Sequence, residues 1–203
     1  MTDLEVKITF IEPCLGTSPN NPDIHAEFIA SKAPDAMTRQ EEIENFGVDE
    51  YREKSMTIFQ RTQGGDLCLL DYQIKGFFKE ACGALQRMKG EDCAKESLKL
   101  KAYKKIIDTT VEVYPRRIPI KLNGEVGDLQ RPLRASTAQG ERIALADSEM
   151  VNDGSSFVIR IEAPNIYEPA IREWLTYGKR HGIGQWRNAS YGRFTWKEVK
   201  KAE

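Results

Sequence analysis

Leu4, Val6, Ile8 and Phe10 alternate with Glu5, Lys7 and Thr9, the two-residue period of a strand with one buried face, so Leu4 to Glu12 reads as a strand. The loop-forming run from Pro13 to Pro22 ends it. A short helix is expected from Asp23 to about Ser31, and an acidic one from about Asp35 to Phe46. Ser55–Thr62 and Leu67–Asp71, separated by Gln63-Gly64-Gly65, predict a hairpin. From Gln73 the period changes: Ile74, Phe78, Ala81, Leu85 and Met88 recur at helical spacing up to Gly90. Leu98–Asp108 reads as a second, lysine-rich helical stretch, Thr109–Tyr114 as a strand, and Arg117–Leu122 as another. Between Asn123 and Asn152, strand-like pieces punctuated by Gly124, Gly127 and Gly140 predict a projecting hairpin. Ser156–Glu162 reads as a strand, Tyr167–Arg180 as a helix built on Ile171, Trp174 and Leu175, and Arg193–Val199 as a closing strand.

With insertions at about 23–71 and 115–152 set aside, the order is βαββαβ. That predicts an α+β fold with a ferredoxin-like core, carrying inserted helices and the hairpin, in one domain spanning 1–203. The same order is the RRM scaffold, although a fold alone does not decide function.

Composition narrows the picture. At 203 residues, 40% hydrophobic and 30% charged, the chain is long enough for a substantial core and too apolar for disorder. No apolar run approaches the roughly 20 residues of a membrane span, and Met1-Thr2-Asp3-Leu4-Glu5 lacks the start of a signal peptide. Cys14, Cys68, Cys82 and Cys93 are scattered without metal-ligand spacing, as structural thiols of a cytoplasmic protein would be. The net charge of -1 hides segregation: acids crowd residues 1–54, whereas lysines and arginines dominate 75–106 and the stretch from 171 onward. Such blocks are either solvated faces or complementary surfaces between subunits, with cations to spare for phosphates.

Three stretches carry candidate chemistry. Gly182-Ile183-Gly184-Gln185-Trp186-Arg187-Asn188-Ala189-Ser190-Tyr191-Gly192-Arg193 combines three glycines, which let backbone fold closely over a ligand and turn amides toward an anion, with two arginines and the polar Gln185, Asn188 and Ser190. Trp186 and Tyr191 suit either base stacking or a core. The glycines follow a helix and precede a strand, unlike a P-loop or a Rossmann turn. In the second stretch, Lys75, Gly76 and Lys79 fall in the first turns of a helix, where free amides favour phosphate. The third, Gln130 to Arg142, places Arg131, Arg134 and Arg142 on the hairpin.

In this order the three stretches resemble the repeat-associated mystery proteins (RAMPs), the superfamily of backbone subunits of CRISPR effector complexes. Thr9-Phe10-Ile11-Glu12 leading to Gly16-Thr17-Ser18 is similar to the family's first strand and Gly-Ser/Thr loop. Ile74-Lys75-Gly76 is similar to its Leu/Ile-Lys-Gly helix opening. Arg134 through Phe157 is similar to its Arg-Thr-rich hairpin with a Glu-Val-Pro-x-Gly-x-x-Phe phrase, and Ser190-Tyr191-Gly192-Arg193-Phe194 to its closing Gly-x-Gly-Arg-Val. Where the family places Pro-Gly-Ser-Ser before Lys-Gly, this chain has Leu70-Asp71-Tyr72-Gln73. The texture also resembles small phage and prophage proteins.

The resemblance implies a sequence-tolerant binder of single-stranded RNA or DNA that assembles side by side along the strand, alone or with other ribonucleoprotein subunits, and the segregated acidic and basic segments make that self-association head to tail. A phage protein acting on a CRISPR, replication or recombination complex is the second class it allows. The third is a metal-dependent endoribonuclease; RAMP backbones that cut RNA use an aspartate after the first strand, a region where Asp23 and Asp35 lie. Catalysis otherwise has thin support: His25 and His181 are the only histidines, no Cys/His spacing suits zinc, and no cofactor is expected. His181 beside the glycine loop suits a general base or phosphate donor less well than a helix-end residue stabilised by the dipole.

Overall fold

The computed structural model describes residues 1–20, 56–137 and 140–199. The helices expected at 23–31 and 35–46 lie outside them.

The alternation at the N-terminus becomes β1 (Thr2–Phe10), with Leu4, Val6, Ile8 and Phe10 buried on one face. It lies between two antiparallel neighbours: β11 (Ser156–Ala163), from Thr2 opposite Ala163 to Thr9 opposite Ser156, and β12 (Phe194–Glu198), with Phe10 opposite Phe194. β7 (Glu112–Tyr114) adds to the outer edge of β11. The sheet order is β12-β1-β11-β7. Two helices pack on its apolar face, α1 (Asp71–Leu85) between β1 and β7, and α3 (Glu168–Tyr177) between β11 and β12. The fold is therefore α+β.

Burial follows side-chain periodicity. Ile74, Phe77, Phe78, Ala81 and Leu85 form the inner stripe of α1, and Ala170, Ile171, Trp174 and Leu175 that of α3. The stripes meet where the Phe78 ring lies 5.5 Å from Trp174, whose indole N–H donates to Ser97 Oγ at 3.1 Å, satisfying a fully buried donor. Phe77 reaches the sheet at Phe194, 5.1 Å away edge to face.

Two smaller sheets flank this layer. β2 (Cys14–Leu15), β3 (Ser18–Pro19) and β4 (Thr57–Ile58) join the base of a hairpin, β9 (Gly127–Thr137) with β10 (Gly140–Val151). β5 (Gln60–Arg61), β6 (Leu67–Leu70) and β8 (Arg117–Pro119) form the third. Glu149, buried at the hairpin base, accepts from the Phe59 N–H at 2.8 Å and pairs with Arg61, tying the two together.

Several boundaries differ from the sequence expectation. Thr109 and Thr110 end the helix α2 (Tyr103–Thr110) rather than start a strand, because their hydroxyls donate to the Lys105 and Ile106 carbonyls at 2.8 and 2.7 Å. The 117–122 segment supplies only β8, which pairs with β6 outside the main sheet. Cys14, Cys68 and Cys82 are buried and free, whereas Cys93 is exposed. Burial pushes the Cys14 thiol up to about 12, where it is inert at neutral pH. Among the described residues no helix is long and apolar enough to cross a membrane.

Gly178, just after α3, is held by close packing. A Cβ there would stand 2.3 Å from the buried Phe194 ring. Gly178→Ala should destabilise the fold by about 1–3 kcal/mol, seen as a lower urea midpoint with unchanged slope.

Candidate nucleic-acid interface

The loop between α3 and β12 folds tightly on itself, and its glycines are required by that closeness. A Cβ on Gly192 (φ +71°) would stand 1.8 Å from the Ile183 carbonyl oxygen, and one on Gly182 2.2 Å from that of Tyr191. Gly184 (φ +94°) abuts β2, where a Cβ would meet the Leu15 carbonyl oxygen at 2.7 Å. The Ile183 N–H donates to the Gly192 carbonyl at 3.0 Å, and the Gly192 N–H to the Pro13 carbonyl at 2.7 Å. These two amides close the loop within the chain and are not turned toward a ligand.

On one side the loop faces the opening of α1 across a cleft of about 350 Å³. Thr17, Tyr72, Gln73, Gly76, Phe77 and Glu80 line it from one wall, and Ile183, Gly184 and Arg187 from the other. Helical spacing puts Gln73, Gly76, Phe77 and Glu80 on a single face. Gly76 leaves the wall open, since nothing lies within 4 Å of where its Cβ would be. Gln73 fixes the start of the helix: its Oε1 accepts from the Leu70 N–H at 2.8 Å, and its Nε2 donates to Thr17 Oγ1 at 2.6 Å. Here Leu70-Asp71-Tyr72-Gln73 performs a capping role and sets Tyr72, 60% exposed, at the mouth of the cleft.

On its other side the loop meets the hairpin. The half-buried Arg131 guanidinium sits 4.5 Å over the Trp186 ring, and its Nη2 donates to Gln185 Oε1 at 3.3 Å. Trp186 stacks on Tyr191, ring centroids 5.2 Å apart and planes 11° from parallel. Trp186 adopts φ +53°, a conformation costing a bulky residue of order 1 kcal/mol, and the two contacts hold it there. Nε and Nη1 of Arg131 are buried without a hydrogen-bond partner, as is Nε of Arg193.

A polar cluster closes the cleft at Glu80. His181 Nε2 lies 2.8 Å from the Glu80 carboxylate, and Arg187 Nη1 donates to the same oxygen. Partial burial works to raise the Glu80 carboxyl, but hydrogen bonds from His181 and Arg187, with their charge, outweigh it and hold it below the ordinary carboxylate value.

The expected residues are thus divided. Gly76, Arg131, Gly182, Gly184, Gln185, Arg187, Gly192 and Arg193 gather around the loop, with Asn188 and Ser190 on its rim. Lys75 and Lys79 do not join them: Lys75 pairs with Glu112 at 2.9 Å and Lys79 with Asp108, both on elements away from the cleft. Arg134 and Arg142 occupy hairpin positions beyond Arg131, opposite Ile143 and Ala135. Asp23 and Asp35 lie outside the described residues. Tyr72, Gln73, Thr17 and Glu80 were missed as site residues. Only helical spacing about Gly76, four and three residues before it and four after, could have indicated the three on α1.

The sequence matches no known protein-family model and no curated protein. Among solved structures, a chain in the cryo-EM structure of the Type III-B Cmr-beta complex bound to cognate target RNA superposes with a TM-score of 0.51 at 10% identity, over 98% of this chain. The match spans 59% of that chain's length. A chain of a Type IV-B CRISPR complex gives 0.47 at 8% identity, covering 100% of this chain and 92% of the other. At such identity the first likeness speaks for the fold alone.

The depressed Glu80 carboxyl contributes stability that is present above the ordinary carboxylate range, about 4.3, and is lost as pH falls through its folded value. Thermal melts of Glu80→Gln between pH 3 and 7 should therefore differ from the parent most at neutral pH and converge with it in acid.

Proposed function

We propose that this chain is a single-stranded nucleic-acid-binding subunit of the RAMP type, taking RNA or single-stranded DNA over the glycine loop. On this reading the β12-β1-β11-β7 sheet with α1 and α3 is the ferredoxin-like core of one domain over 1–203. The observation that carries it is the convergence on one loop of the α1 opening, the hairpin through Arg131, and the loop's own Arg187 and Trp186. Arg131, Arg187 and Arg193 offer cations to phosphates, and Tyr72 and Trp186 offer exposed aromatic surface to bases. Contacts of both kinds carry little base information, so binding is sequence-tolerant. The fold likeness to a chain from an RNA-bound complex supports this over a small-metabolite site.

Replacing Arg187 and Arg193 together with alanine should weaken binding of single strands uniformly across sequences. It should also flatten the dependence of log K on log salt by about 2. Fluorescence polarisation with labelled oligonucleotides reads both, and a wild-type protein that binds no single strand at low salt refutes the reading.

Head-to-tail assembly is the second part of the proposal. Within the basic stretch, Lys75, Lys79, Lys95 and Lys99 are paired inside the chain. Lys89, Lys101, Lys104 and Lys105 instead surround an open hollow of about 620 Å³ and pair with no described residue. These free cations are the natural counterpart of the acidic 1–54 segment of a neighbouring copy. Charge reversal at Glu41, Glu42 and Glu44 should abolish oligonucleotide-induced growth in light scattering while sparing strand binding by the isolated subunit.

A further inference from the structure

Glu80 is out of place in a cleft meant for a polyanion. Its carboxylate stands on the cleft-facing side of α1, within hydrogen-bond distance of Arg187 in the glycine loop and of His181 beside it. The side chains of Glu80, His181 and Arg187 are 43%, 30% and 32% exposed, so the cluster sits at the surface, within reach of a dissolved anion. Arg187 spends one N–H on Glu80 and has no other side-chain hydrogen bond to a described residue. Most of its donor fork is therefore left for a ligand.

We infer that Arg187 and His181 form a phosphate-binding pair whose position is held, in the free protein, by the chain's own Glu80 carboxylate. The inference rests on the proposed function and names the anion site within it: one phosphodiester of the bound strand takes the place of Glu80. A carboxylate and a phosphate share the geometry that an arginine fork accepts, so the first can stand in for the second. The exchange favours the strand because an exposed ion pair is weakly held, whereas a polyanion gains counterion release at each phosphate neutralised. Tyr72 stands at the mouth of the same cleft, where a base attached to that phosphate can lie on its ring. Glu80 thereby sets specificity: an isolated monoanion gains little by displacing a carboxylate already in position, whereas a strand anchored elsewhere on the loop gains the contact without a further search.

The test measures polarisation of a labelled oligonucleotide against salt for the parent, Glu80→Gln, Glu80→Ala and Arg187→Ala, with circular dichroism to verify that each is folded. Both Glu80 variants free Arg187, so they should bind about 3- to 10-fold more tightly at low salt, with a slope steeper by about 1. Arg187→Ala should bind more weakly than the parent, and adding Glu80→Gln to it should restore little. If the parent binds and Arg187→Ala is weakened, but both Glu80 variants bind no more tightly than the parent, Glu80 is not a stand-in for phosphate and this inference falls while the proposed function stands. If neither parent nor variants bind any single strand, both fall together.

Discussion

Two backbone hydrogen bonds at Gly192 hold the site in being, because they tie three separate parts of the chain at one residue. The Gly192 carbonyl takes the Ile183 N–H and so closes the loop, while its own N–H goes to Pro13 just beyond the first strand. Neither bond can form unless the chain passes closer than any side chain permits, which is why the residue lacks one. With the loop pinned there, Gly184 is pressed onto Leu15, Arg187 is carried to the end of the α1 cleft, and Trp186 is presented to the hairpin. The candidate surface is in this sense a by-product of a backbone closure.

The main layer was legible in the sequence because its signals are local. Alternation from Leu4 to Phe10, the α1 stripe from Ile74 to Leu85, and the run of Ile171, Trp174 and Leu175 each report a periodicity that burial then uses. The errors fell where a residue has two local options. Thr109 and Thr110 have β-branched side chains that suggest a strand, yet their hydroxyls back-bond within the last turn of a helix. The partner of residues 117–119 was not readable at all, since pairing with Leu67–Leu70 depends on a contact that no periodicity encodes.

For the site, residue type was legible and direction was not. Lys75 and Lys79 have the composition of phosphate ligands, but the turn of α1 sends them toward Glu112 and Asp108. The residues that do face the loop include Gln73, Gly76 and Glu80, none of which carries positive charge, and only Gly76 was readable as part of a phosphate site. The glycine loop itself was found because glycines, arginines and aromatics are concentrated there. The reason for its glycines was inverted: they serve the chain's contact with itself before any contact with a ligand.

The margins of the four-stranded sheet carry a consequence for how copies of this chain can meet. One margin is β7, three residues long and followed by Pro115, which has no N–H to offer a new strand. The other is β12, whose exposed Lys197 and Glu198 burden it with charge. Short, charged margins resist the addition of a foreign strand. Copies of this chain are therefore kept from fusing into one continuous sheet, so any association between them would have to be made of side chains. Side-chain contacts are reversible, without the near-irreversible locking that shared backbone ladders bring.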